Sequence, residues 1–115
     1  MKFRNSFVSN SSSASFILEI FTDDHRMTKD NVIDIIENKI GTIGIDYDGL
    51  DKNDKEMIKQ NLKRIDDQKF VIDTWTAMYN GPENIPEFMK DFYIFHQLHP
   101  GESGFWRVDL RVEED

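Results

Sequence analysis

The chain has 115 residues, 14 basic against 22 acidic for a formal charge of -8, 38% hydrophobic and 12% aromatic content, and no cysteine. That is one domain with a modest core rich in Phe, too apolar for wholesale disorder and without the roughly 20-residue apolar run of a membrane span. The missing thiols exclude a disulfide framework, a thiolate metal site and a Cys nucleophile, and the acidic excess argues against a nucleic-acid-binding surface.

In chain order, Phe3 to Val8 reads as a weak strand. Phe7 to Phe16 holds a small polar run, Ser9-Asn10-Ser11-Ser12-Ser13, between apolar anchors. Ser and Asn side chains compete for backbone hydrogen bonds and favour turns, so residues 1–14 are expected as a loop-like or flexible segment. Ser11, Ser12 and Ser13 offer hydroxyls and successive N–H groups for an anion, without the glycine pattern of a nucleotide cradle. Ser15 to Thr22 is a largely buried strand.

Thr28-Lys29-Asp30 opens a helix, capped by Thr28 or Asp30, with Val32, Ile33, Ile35, Ile36 and Ile40 on one stripe and Gly41 stopping it. Thr42 to Asp48 has the alternation of a short strand. Asp51 caps a second helix, whose Ile58, Leu62 and Ile65 fall at i, i+4 and i+7. Lys69 to Tyr79 reads as a central strand, broken at Asn80-Gly81-Pro82.

Asn84-Ile85-Pro86-Glu87 has the form of a capping box, and Phe88, Phe92 and Phe95 then share a helical face with Met89 and Leu98. In the last run Trp106, Val108, Leu110 and Val112 face one way and Phe105, Arg107, Asp109 and Arg111 the other. The class is α+β: a small, mostly antiparallel sheet with about three helices packed on one face, in a single domain over residues 1–115.

Four groups are candidates for function. Asp46, Asp48 and Asp51 resemble part of a calcium loop, and with Asp54 they form an acidic cluster. The pattern fails at both ends, where Gly44 and Lys55 stand at the first and last ligand positions, so an acidic face is the alternative. His96, His99 and Glu102 are spaced to supply three ligands to zinc or iron, although the helix-terminal dipole explains the same histidines. Phe105, Arg107 and Arg111 combine the residue types enriched at binding hot spots. The serine run is the fourth. No nucleophile elbow or acid–base pair stands out, and no cofactor is expected.

Residues 2–17, from Lys2-Phe3-Arg4 through Phe7-Val8-Ser9-Asn10 to Ser15-Phe16-Ile17, resemble the opening motif of many uncharacterised bacterial and phage proteins. Those begin with a basic residue, then Phe-Val, Ser or Thr, Asn and a serine run closed by Ser-Phe; here Ala14 interrupts the serines. The resemblance stops there, carries no catalytic residue and implies an origin, with phage favoured for so short a chain.

These readings converge on a small acidic cytoplasmic protein that binds and modulates another protein. A DNA mimic blocking a nucleic-acid-binding protein, or a small ligand- or metal-dependent enzyme, are the alternatives. The basic N-terminus lacks the apolar stretch of a signal peptide. No direct nucleic-acid or membrane contact is expected, and the last strand is a sheet edge through which copies of the chain can pair.

Overall fold

The structure, a computed structural model, describes residues 12–40 and 50–114. Its elements are β1 (Ser12–Phe21), α1 (Lys29–Ile40), α2 (Lys52–Asn61), β2 (Leu62–Asp66), β3 (Lys69–Tyr79), α3 (Glu87–Leu98) and β4 (Arg107–Glu114). The strands form one sheet in the order β2-β3-β1-β4 with every neighbour antiparallel. Helices cover one face, α2 against β3 and α3 against β4, with α1 packed on both α2 and α3. This is the α+β architecture that the sequence implies.

Alternation along the strands explains the layering. On β1, Ala14, Phe16, Leu18 and Ile20 all point into the core. Across the ladder Phe16 stands beside Thr74 and Val112, Leu18 beside Ile72 and Leu110, and Ile20 beside Phe70 and Val108. The helices bring Val32, Ile36 and Ile40, then Ile58, then Phe88, Met89 and Phe92 onto that apolar floor. Each fully buried Phe or Ile contributes about 1.5–3 kcal/mol relative to exposure.

Thr28 caps α1 reciprocally with Asn31: Asn31 N–H donates to Thr28 Oγ1 at 3.1 Å, and Thr28 N–H to Asn31 Oδ1 at 3.0 Å. Asp51 caps α2, its Oδ1 accepting from Asp54 N–H at 2.8 Å.

The structure corrects the sequence reading in five places. The second helix does not carry its stripe to Ile65. It stops at Asn61 because Leu62 onward finds backbone partners on β3, and an Asx turn (Gln68 N–H to Asp66 Oδ1, 2.8 Å) closes the hairpin. Leu62 still reaches the core, but Ile65 sits at a bulge between Arg64 and Asp66 and is 54% exposed.

The capping box before α3 does not form. Asn84 Oδ1 instead accepts from Asn80 N–H at 2.6 Å, closing the turn after β3, and Pro86 stands at the cap. Phe88, Phe92, Phe95 and Met89 are buried as expected, whereas Leu98 is 69% exposed, beyond the reach of the sheet.

At the start of β4 the faces of the first two aromatics are reversed: Phe105 is 4% exposed and Trp106 53%. The regular ladder with β1 begins at Arg107; Trp106 N–H donates to Phe21 O at 3.1 Å out of that register, so the alternation does not extend back to these residues. Finally, β1 begins at Ser12 rather than Ser15, so part of the serine run is strand. The weak strand at residues 3–8 and the ambiguous stretch 42–48 lie outside the described residues, as does the Gly41 stop.

Candidate interaction face

The face of the sheet opposite the helices is composed of the other half of the alternation. β1 supplies Ser15, Ile17, Glu19 and Phe21; β3 supplies Lys69, Val71, Asp73 and Trp75; β4 supplies Arg107, Asp109, Arg111 and Glu113. Lys63 of β2 extends it, opposite Val71.

Glu19 is its electrostatic centre. It is the one charge in an otherwise apolar strand run, and its carboxylate is largely shielded from solvent. Lys69 Nζ approaches it to 2.7 Å and Arg111 Nε to 3.4 Å. The hydrogen bond from Lys69 holds Glu19 below its ordinary pKa, overcoming the opposing effect of burial, with the charges of Lys69, Arg111 and Arg107 adding to the shift. Arg107 pairs with Asp109 at 2.7 Å, and Arg111 also with Glu113. Acids and bases alternate here in equal number, so the net acidity of the chain lies elsewhere.

Aromatic groups stand at both ends of this charged belt. At one end the Phe21 ring is flanked by cations, Lys69 Nζ 5.2 Å and the Arg107 guanidinium 5.1 Å from its centre, and Trp106 leans on it at 5.3 Å. At the other, Trp75 opposite Ser15 is 62% exposed. From Ser15 to Phe21 the strand rises roughly 20 Å, so two large exposed rings bracket a compensated polar belt.

Among the described residues the other sequence candidates do not meet at a site. Phe105 is core, edge-to-face with Phe92 at 5.9 Å, so the expected patch of Phe105, Arg107 and Arg111 loses its aromatic member and gains Trp106 and Phe21 in its place. His96 points inward: its Nδ1 lies 2.7 Å from Ser103 Oγ, and burial pushes its pKa down against the pull of Asp109. The Ser103 hydroxyl, which also accepts from Phe105 N–H at 3.2 Å, is fully buried and serves as a clasp for the turn from α3 to β4.

His99 lies outside that clasp, exposed, 3.2 Å from Glu102. The expected ligand trio is therefore split between interior and surface. Among the described residues no cluster of three or more His, Asp or Glu is arranged to hold a metal ion.

Ser12 and Ser13 belong to β1, with Ser12 opposite Tyr79. The extended backbone at Ser12 and Ser13 directs successive N–H groups to opposite sides. Ser11, Asp46 and Asp48 lie outside the described residues. Asp51 is consumed as a helix cap, and Asp54 is raised in pKa chiefly by burial and next by the charge of Asp51. Lysines stand among these acids, and Lys55 pairs with Glu37 of α1.

Sequence reasoning missed the Glu19–Lys69 pair and the Phe21 sandwich. A usable signal existed, since a single carboxylate in the middle of SFILEIFT requires a cation on a neighbouring strand. Only the register identifies it as Lys69 and Arg111. No helix among the described residues is long and apolar enough to cross a membrane. No family model matches the chain, and neither a curated protein nor a solved structure matches it.

Proposed function

We propose that this chain is a small cytoplasmic interaction protein, of phage or mobile-element origin, that binds and modulates another protein through the open face of its sheet. The observation that carries this reading is the pair of exposed tryptophans on the face opposite the helices, Trp106 against Phe21 and next to Arg107 at one end of the charged belt and Trp75 opposite Ser15 at the other. Exposing two large rings forgoes burial that the core would reward, while Trp and Arg are the residue types over-represented where partners bind most tightly. The charge-compensated belt suits a protein surface of mixed sign better than a phosphate backbone. The absence of cysteine in the sequence accords with a reducing compartment.

The test is affinity capture from bacterial lysate, comparing wild type with Trp75→Ala/Trp106→Ala. Both residues are exposed, so the double variant should keep its unfolding midpoint nearly unchanged. A specific partner retained by wild type and lost by the folded variant supports the reading. Equal capture by both, or no specific capture by either, removes it.

A further inference from the structure

Among the described residues the sheet ends at β2 on one side and β4 on the other, and the two differ in kind. β2 is short and bulged, and its Arg64 folds inward to donate to the carbonyls of Met27 and His25, each at 2.9 Å. Bulging and shortening are the usual protections of an edge against pairing. β4 has eight residues in unbroken register with β1, and among the described residues no strand pairs with its outer side. Its core-facing Leu110 and Val112 are only half-buried, because the apolar floor ends there.

The side chains of β4 carry a self-complementary code. Along the open face they read Arg107, Asp109, Arg111, Glu113, alternating in sign. An antiparallel copy related by a two-fold axis at Leu110 sets Arg107 against the second copy's Glu113 and Asp109 against its Arg111. On the core face of the same pairing, Val108 meets Val112 and Leu110 meets itself.

Shifting by two residues sets Arg107 against Arg111 and Asp109 or Arg111 against itself, which is like charge on like. Shifting by one puts the apolar face of one copy beside the charged face of the other. Shifting by four restores the sign pattern but overlaps fewer residues. Like charges directly opposite are destabilising and opposite charges favourable, so one register is selected and the others are penalised.

We propose that β4 pairs antiparallel with β4 of a second copy, centred on Leu110, to give a two-fold dimer with one continuous eight-stranded sheet. Helix layers then lie side by side on one face, and the two open faces join into one surface on the other. Leu110 and Val112 lose their remaining exposure against their counterparts. The symmetry is isologous, which this code requires and which small homodimers most often adopt.

The experiment is analytical ultracentrifugation of wild type, Asp109→Arg and the exchange variant Asp109→Arg/Arg111→Asp. Asp109→Arg sets Arg against Arg twice in the dimer while standing beside Glu19 in the monomer, so it should still fold. It is expected to weaken dimerisation by about tenfold or more. The exchange variant restores every opposite pair and should return affinity to within about threefold of wild type.

Leu110→Cys, the only cysteine in the chain, reads the register independently. Two-fold-related residues in antiparallel strands lie about 4.5–5.5 Å apart at Cα, within disulfide range, so oxidation should give a covalent dimer. A wild type that stays monomeric on the order of 100 μM overturns the proposal. So does a dimer indifferent to Asp109→Arg, an exchange variant that fails to restore it, or a Leu110→Cys protein that does not cross-link.

Discussion

Phe16 and Phe21 belong to the same strand, five positions apart, and their surroundings have almost nothing in common. Phe16 is sealed under the helices with Tyr79 at 5.7 Å, whereas Phe21 lies half-exposed between two cations and a tryptophan. One face of β1 is held by excluded water and close packing, the other by charge compensation. The contrast teaches that the core face sets stability while the open face is free to be shaped for contact.

The comparison breaks most decisively at Phe16. Phe16→Ala should cost about 3–5 kcal/mol, because it removes a buried ring from a site that cannot fully collapse. Phe21→Ala should cost on the order of 1 kcal/mol, the scale of exposed cation–π contacts. Urea denaturation of the two variants in parallel tests the contrast, and equal losses would erase it.

Glu19→Gln sharpens the electrostatic half. It removes a shielded charge-assisted hydrogen bond and should cost about 1–3 kcal/mol at pH 7. The carboxyl is held below its ordinary pKa of 4.5 in the folded chain, so on acidification the unfolded chain binds the proton first. Its stabilisation is therefore complete above about pH 4.5 and lost as pH falls through the folded value. The gap between wild type and Glu19→Gln should narrow progressively as the pH of the unfolding measurement is lowered below 4.5. A constant gap would mean that the charge is irrelevant.

The smallest effect is expected at Thr74, whose Oγ1 is buried on the core face with no hydrogen-bond partner among the described residues. Thr74→Val keeps the branched shape and removes the unpaired hydroxyl, so it should raise stability by roughly 0.5–1 kcal/mol. Differential scanning calorimetry resolves a change of that size, and a lower melting temperature would show that the hydroxyl is satisfied.

Much of the fold was legible because local pattern and tertiary need agreed. The stripe of Val32, Ile33 and Ile36, the strand from Lys69, and Val108, Leu110 and Val112 all fold as their periodicity implies. The misreadings arose where a distant partner overrode a local preference. Ile58, Leu62 and Ile65 have helical spacing, yet β3 offered Leu62 a ladder. Asn84 has the chemistry of a cap, yet the turn at Asn80 took its side chain. Of the candidate site only Arg107 and Arg111 were legible, because alternation reads Trp106 as core-facing and Phe105 as outward, the reverse of what the turn from α3 imposes.

By itself the sequence determined the α+β class, the apolar stripes that form the core, and the sign alternation along the last strand, because these follow from periods of 3.6 and 2. Tertiary structure alone decided which strand lies beside which, that Lys69 and Arg111 converge on Glu19, and that His96 turns inward to Ser103. Those outcomes depend on register and strand order. Both are set by contacts between residues far apart in the chain, whose free energy has no local signature.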